Sequence, residues 1–275
     1  MDARLKVTGG FAPSGDGQIY FETAGRGPAL IFVHAGVSDR RMWDPQFEAF
    51  AAEYQVIRLD LRGFGKSRMT QGPYANRDDL ASVLDAIGVT SAVLVGCSMG
   101  GATAIDFTLE HPETVSALVL VGAGVSGWKD WSPQTFNHFG QMMRLIQQGD
   151  SASARDLEAR YWIDGPSRDA AKVDSAYRAR AAELHRENFS VERFSHQEQE
   201  LSPPAIGRLG EIKCPATVII GDSDADDIRA LGARLATEIA GARLVTIENG
   251  AHLPNLEHPD RFNRILREFL ARLAN

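Results

Sequence analysis

The most constraining feature of the sequence is a series of short, wholly apolar stretches separated by segments of helical spacing. Residues 29–34, 91–96, 116–121 and 215–221 are apolar runs of strand length, and 18–24, 55–60 and 243–247 complete a predicted set of strands. Between them, residues 77–87 place Leu80, Val83, Leu84 and Ile87 at helical intervals, 102–109 reads as a helix, and helical segments follow the last two strands. A strand that is apolar on both faces has to be covered on both faces, and helices alternating with strands supply that cover. The pattern therefore predicts an α/β fold, a mostly parallel twisted sheet flanked by helices, with ligands bound at the carboxyl ends of the strands. The opening before residue 18 is polar and glycine-rich and carries no predicted element.

Residues 126–209 break this rhythm. They contain no convincing strand but about three amphipathic helical patches, built around Trp128, Trp131, Phe139, Met142, Met143, Leu145, Leu157, Tyr161 and Trp162. Ser202-Pro203-Pro204 reads as the rigid turn that returns the chain to the sheet. The expected organisation is a core of residues 1–125 and 210–275 carrying an inserted helical cap at 126–209.

A chain of 275 residues with 44% hydrophobic and 24% charged content is ordinary for a globular protein, which argues against disorder and fibrous classes. Its net charge of -7 repels phosphate backbones and anionic headgroups, so a small molecule is expected as partner rather than nucleic acid or a membrane. A homodimer is compatible with the sequence. Cys97 and Cys214 form no C-x-x-C pair and have no metal-ligand spacing around them, which fits a reducing compartment and predicts no metal. No apolar h-region follows the first residues, and no apolar run approaches the roughly 18 residues of a membrane span, so a cytoplasmic location is expected.

Gly96-Cys97-Ser98-Met99-Gly100 matches G-x-S-x-G with an apolar strand before it and a helix after it. That context makes Ser98 the candidate nucleophile, exposed on a turn so tight that its flanks tolerate little beyond glycine. A serine hydroxyl is a weak nucleophile at neutral pH and needs a base and an orienting carboxylate. His252 follows the last strand, in Gly250-Ala251-His252-Leu253, and is the candidate base. Asp224, in Gly221-Asp222-Ser223-Asp224, leaves the preceding strand in the same way and is the candidate acid; Asp222, Asp226 and Asp227 are rivals in the same stretch. The remaining histidines, among them His138 and His185, are read as solvated or packed. Acyl transfer also requires donors for the developing oxyanion, and the backbone N–H groups of Met99 and of Gly36, in His34-Ala35-Gly36-Val37, are the candidates.

Together with Asp60-Leu61-Arg62-Gly63-Phe64-Gly65-Lys66-Ser67, these motifs resemble the α/β-hydrolase superfamily in order and over nearly the whole chain. Ser98 through Ala104 and Glu110-His111-Pro112 look like hydrolases that split carbon–carbon bonds of ring-cleavage products, and also like lactonases and haloperoxidase-type esterases. Leu253 stands where the carbon–carbon hydrolases usually carry tryptophan, and His-Ala-Gly replaces the common His-Gly of the oxyanion loop. Serine at 98 separates the chain from dehalogenase and epoxide-hydrolase relatives, which need an aspartate there. The resemblance implies a cofactor-free carboxylic ester hydrolase or lactonase; a carbon–carbon hydrolase and a hydrolase-like ligand receptor are the alternatives.

Other signals point to structure. Gly65-Lys66-Ser67 ends like a phosphate-binding loop, yet Asp60 stands where its first glycine belongs, so no nucleotide is expected. Asp60 and Arg62 are read as holding their own loop together, Cys97 as a packed hydrophobe, and Arg40 and Arg41 as solvated loop charges. Trp43, Trp128 and Met142 are weak candidates for the substrate pocket.

Overall fold

The computed structural model describes residues 5–196 and 198–273. Among them, the strands β1 (Val7–Ser14), β2 (Gly17–Ala24), β3 (Ala29–Val33), β4 (Gln55–Leu59), β5 (Ala92–Cys97), β6 (Val115–Val121), β7 (Ala216–Gly221) and β8 (Arg243–Ile247) form one sheet. Its order is β1-β2-β4-β3-β5-β6-β7-β8; the pairs made by β2 are antiparallel and all others are parallel. The mostly parallel sheet expected from the apolar runs is present.

Alternate residues of one strand serve opposite layers, as the two-residue period of a strand requires. Ile31 and Val33 of β3 pack in one cluster with α2 (Asn76–Ile87) and α3 (Met99–Glu110), through Leu80, Leu84, Ile105 and Phe107. Leu30 and Phe32 join the other cluster with α1 (Asp44–Phe50) and α9 (Pro259–Leu273), through Phe47, Phe50, Phe262 and Phe269. Each such fully buried side chain contributes roughly 1.5–3 kcal/mol of transfer free energy, which makes the central strands the rigid base on which loops are set.

The glycine-rich opening is an edge strand rather than an unstructured lead-in. Only Ala12 and Ser14 of β1 are buried, so its inward face carries no apolar signal, and Pro13 is tolerated because an edge strand needs donors on one side only. Arg40 and Arg41 are paired rather than solvated. Arg40 reaches Asp60 at 2.8 Å and Glu22 at 3.0 Å in a buried cluster, and Arg41 binds Asp39 and Glu187, both at 2.6 Å. Asp60 also accepts from the Lys66 N–H at 2.9 Å, which closes the loop around Phe64 as expected. Any Cβ at Gly65 would lie 2.2 Å from the Asp60 carboxylate, so only glycine fits there.

Between β6 and β7 the chain forms α4 (Pro133–Gln147), α5 (Ser151–Ala159), a π-helical turn at Arg160–Asp164, α6 (Ser175–Asn188) and a 3-10 turn at Glu192–Ser195. Tyr161, Trp162, Tyr177 and Leu184 of this insertion belong to the same buried cluster as Phe32, Val95 and Val121 of the sheet. The insertion is thus seated directly over the carboxyl ends of the central strands. The short helix α8 (Pro254–Glu257) and the longer α7 (Asp226–Glu238) complete the helical set.

Candidate active site

Ser98 sits between β5 and α3 with φ 53° and ψ -114°, a conformation that costs a residue with a side chain about 1–3 kcal/mol. The surroundings over-determine it. The Ser98 N–H donates to the Val121 carbonyl at 2.9 Å, and its carbonyl accepts from Ala102 and Gly124, both at 3.0 Å. A Cβ at Gly96 would stand 2.3 Å from the Gly100 carbonyl oxygen, and one at Gly100 would stand 2.3 Å from that of Val33. The two glycines of the motif are therefore demanded by backbone approaching backbone. Met99 opens α3, so its N–H is one of those that a helix leaves without an internal acceptor.

His252 lies on the loop after β8 and is almost completely buried. Its Nδ1 donates to Asp224, at 2.9 Å to Oδ2 and 3.1 Å to Oδ1, and Asp224 Oδ1 also accepts from the Ala225 N–H at 2.7 Å. This fixes the imidazole with its proton on Nδ1 and leaves Nε2 free to act as a base. The end of β6 comes so close that a Cβ at Gly122 would lie 3.1 Å from Asp224 Oδ2 and 3.2 Å from His252 Nδ1. The rival aspartates have other engagements. Asp222 accepts from the Asn249 N–H at 2.9 Å, Asp226 pairs with Arg229, and Asp227 accepts from the Ser132 N–H and hydroxyl, both at 2.8 Å.

Ser98, His252, Gly36 and Met99 line one cavity of about 210 Å³. Thus the structure brings together the candidate nucleophile, base, acid and both oxyanion donors. His34 is fully buried and accepts from the Leu61 N–H at 2.9 Å through Nε2, so it ties the Gly36 loop to the loop that carries Phe64. Met99 also borders a larger cavity of about 520 Å³ lined by Asp106, Trp131 and Glu198, which neither Ser98 nor His252 reaches.

The weak pocket candidates lie elsewhere. Trp43 is fully buried between Phe32 and Phe262, with ring centroids 5.1 and 5.9 Å away, because its 3-10 turn packs that side against the sheet. Trp128 is half-buried against the apolar cluster around α3 with Arg234 over its ring, and Met142 is buried within α4; neither lines the cavity of Ser98.

In their place the cavity wall contains Phe64, Glu158, Trp162, Arg193 and Phe194. The Trp162 ring lies 4.5 Å from that of His252 and covers it. Arg193 stacks over Phe64 at 3.9 Å, donates to the Asn188 carbonyl at 2.9 Å, and makes a long contact of 3.5 Å with the Gly36 carbonyl. Burial pushes the Glu158 carboxyl up to about 7 against the opposing pull of Arg193. Sequence reasoning missed Glu158 and Arg193. Glu158 stands in a helix among Arg155, Asp156 and Arg160, where a charge reads as solvated surface, and Arg193 belongs to a short turn with no periodicity.

The sheet and its flanking helices agree with the relatives of the chain. The curated 2-hydroxy-6-oxo-6-phenylhexa-2,4-dienoate hydrolase of Comamonas testosteroni is 30% identical over 92% of this chain and 91% of its own length. The 2-hydroxy-6-oxononadienedioate/2-hydroxy-6-oxononatrienedioate hydrolase of Burkholderia vietnamiensis is 31% identical over 93% and 91%. Among solved structures, an N-acyl homoserine lactone degrading enzyme superposes with a TM-score of 0.78 at 26% identity, covering 94% of this chain and all of that one. Residues 28–259 match the α/β-hydrolase fold family, and the chain belongs to it as a hydrolase.

Proposed function

We propose that the protein is a serine hydrolase that cleaves a small carboxylic ester or lactone through an acyl-enzyme on Ser98. The observation that carries this reading is the Asp224–His252 pair, set beside the strained Ser98 turn on a single cavity with Gly36 and Met99. In the first half-reaction His252 Nε2 accepts the Ser98 proton while Oγ attacks the substrate carbonyl carbon. The oxyanion is held by the Gly36 and Met99 N–H groups, each donor being worth about 3 kcal/mol in transition-state stabilisation. Collapse expels the alkoxide, which takes the proton from His252, and water then repeats the sequence on the acyl-enzyme. Asp224 remains ionised, holds the tautomer and stabilises the imidazolium. The small cavity favours a short acyl group. Location in the cytoplasm and action on a small molecule without nucleic acid or membrane partners belong to the same reading, and so does an insertion at 126–209 acting as a cap.

A second reading is hydrolysis of a carbon–carbon bond in a vinylogous diketone by the same residues. Similarity to two dienoate-type hydrolases over nine-tenths of the chain favours it. Hydrolysis of a graded series of p-nitrophenyl esters by wild type and Ser98→Ala, with the early burst followed, separates the two. Turnover of short acyl chains that disappears in Ser98→Ala supports the ester mechanism. Absence of ester turnover, with activity on a vinylogous diketone, overturns it in favour of carbon–carbon cleavage.

A further inference from the structure

The wall of the cavity that Ser98 and His252 line also contains two ionisable groups that the mechanism does not use. Arg193 is half-buried, yet among the described residues it makes no ion pair within 4 Å; its partners are carbonyl oxygens and the faces of Phe64 and Phe194. A guanidinium partly removed from water without a carboxylate leaves part of its electrostatic cost uncompensated. Glu158, on α5, has a side chain only 9% exposed, and its Oε2 has no hydrogen-bond partner. His185 Nε2 lies 3.5 Å from that oxygen, but this nitrogen is engaged with the Arg155 carbonyl at 3.2 Å. Burial holds His185 down to about 4, so it is neutral at pH 7 and does not serve as a counter-ion.

A half-buried cation without a counter-anion and a buried carboxyl oxygen without a partner, both on the wall of one cavity, describe a ligand by what they lack. Arg193 lacks an anion with planar oxygen geometry, which a carboxylate supplies. Glu158 in its acid form lacks an acceptor, which the same carboxylate supplies. We propose that Arg193 and Glu158 form a carboxylate-binding subsite within the hydrolytic cavity, so that the preferred acyl group is a short chain ending in a carboxylate. This rests on the reading of Ser98 as the nucleophile of an acyl transfer. Arg193 provides the charge and Glu158 the donor, and neither takes part in bond making. The titratable and charged groups near Glu158 are His185 on α6 and Arg193 on the turn after it, and His252 lines the same cavity. An anion arriving beside Glu158 favours its protonated form, so above neutral pH binding takes up a proton.

The test compares mono-p-nitrophenyl glutarate with p-nitrophenyl pentanoate, near-isosteric esters that differ in the terminal carboxylate. Wild type is expected to favour the glutarate by tenfold or more in kcat/KM. Arg193→Gln is expected to reduce that ratio at least tenfold, chiefly through KM, and Arg193→Lys to restore most of it. Thermal melts establish that each variant is folded. Glutarate itself is titrated calorimetrically into wild type and Ser98→Ala at pH 8, in two buffers of different ionisation enthalpy. Wild type is expected to take up a proton on binding and Glu158→Gln is not. Neutral-ester turnover with no preference for the glutarate, or a preference that Arg193→Gln leaves intact, overturns the subsite while the hydrolytic reading stands. Arg193-dependent glutarate binding without turnover of either ester supports the subsite and overturns the hydrolytic reading.

Discussion

Replacing Glu158 by glutamine is expected to stabilise the protein, and to do so only above mildly acidic pH. The fold raises this carboxyl from its ordinary 4.5 to about 7, because ionisation would place a charge in a nearly water-free wall. Between those two values the folded chain holds a proton that the unfolded chain has released, so stability falls as pH rises from about 4.5 to about 7 and is level beyond. A shift of this size corresponds to an upper figure of about 3 kcal/mol, at roughly 1.4 kcal/mol per pH unit. Glutamine keeps the shape of the neutral acid and cannot ionise. The variant should therefore match wild type near pH 4.5 and exceed it by up to about 3 kcal/mol at pH 8, a rise of roughly 6 °C in Tm for a chain of this size. Calorimetric melts of both proteins at pH 5 and pH 8 measure this directly. An identical difference at the two pH values, or a variant less stable than wild type at pH 8, would refute the placement of a buried neutral carboxyl at this position.

Asp224→Asn should lower ester kcat by about 10⁴-fold by presenting the wrong imidazole tautomer, whereas Asp222→Asn should change it little; steady-state kinetics on one p-nitrophenyl ester decides between them. His138, stacked on Tyr161 at 4.0 Å with both ring nitrogens unpaired, is held down to about 4 by burial. The unfolded chain therefore binds a proton first as pH falls, and stability is lost from about 6.5 to about 4. His138→Phe preserves the ring stack and should flatten this acid limb in urea titrations at pH 7 and 4.5.

The fold was most legible where burial is complete, although the largely exposed β8 was also read as a strand. β3, β5 and β7 are covered on both faces and read as continuous apolar runs, while β1 turns only Ala12 and Ser14 inward and left no such trace. The Ser98 turn was legible because backbone crowding admits only glycine at 96 and 100, which writes a steric requirement into the sequence. For the orienting acid the sequence pointed to Asp224 and left three rivals in the same stretch. Asp222, Asp224, Asp226 and Asp227 share the same local chemistry, and only the direction of the chain after β7 sends Asp224 to His252. Glu158 and Arg193 were hidden for a different reason. Helical spacing marks a buried face through its apolar members, and it cannot flag a charged residue that the fold buries beside them. Trp43 shows the converse, since a large aromatic near the oxyanion loop satisfies core packing as readily as a pocket wall.

The helical insertion leaves the sheet after Val121 and returns at Ala216, yet β6 and β7 pair in parallel as though nothing lay between them. Bringing together strand ends roughly 95 residues apart carries an entropy cost that grows only with the logarithm of the intervening length. Doubling the insertion would add only about 0.6 kcal/mol to that cost. Chain length above the sheet is thus nearly free to vary, while the turns that hold Ser98, Asp224 and His252 are clamped by atoms in contact. On the proposed subsite, selectivity resides in Glu158 and Arg193 and can be rewritten by exchange or extension of one continuous segment without disturbing the turns beneath it.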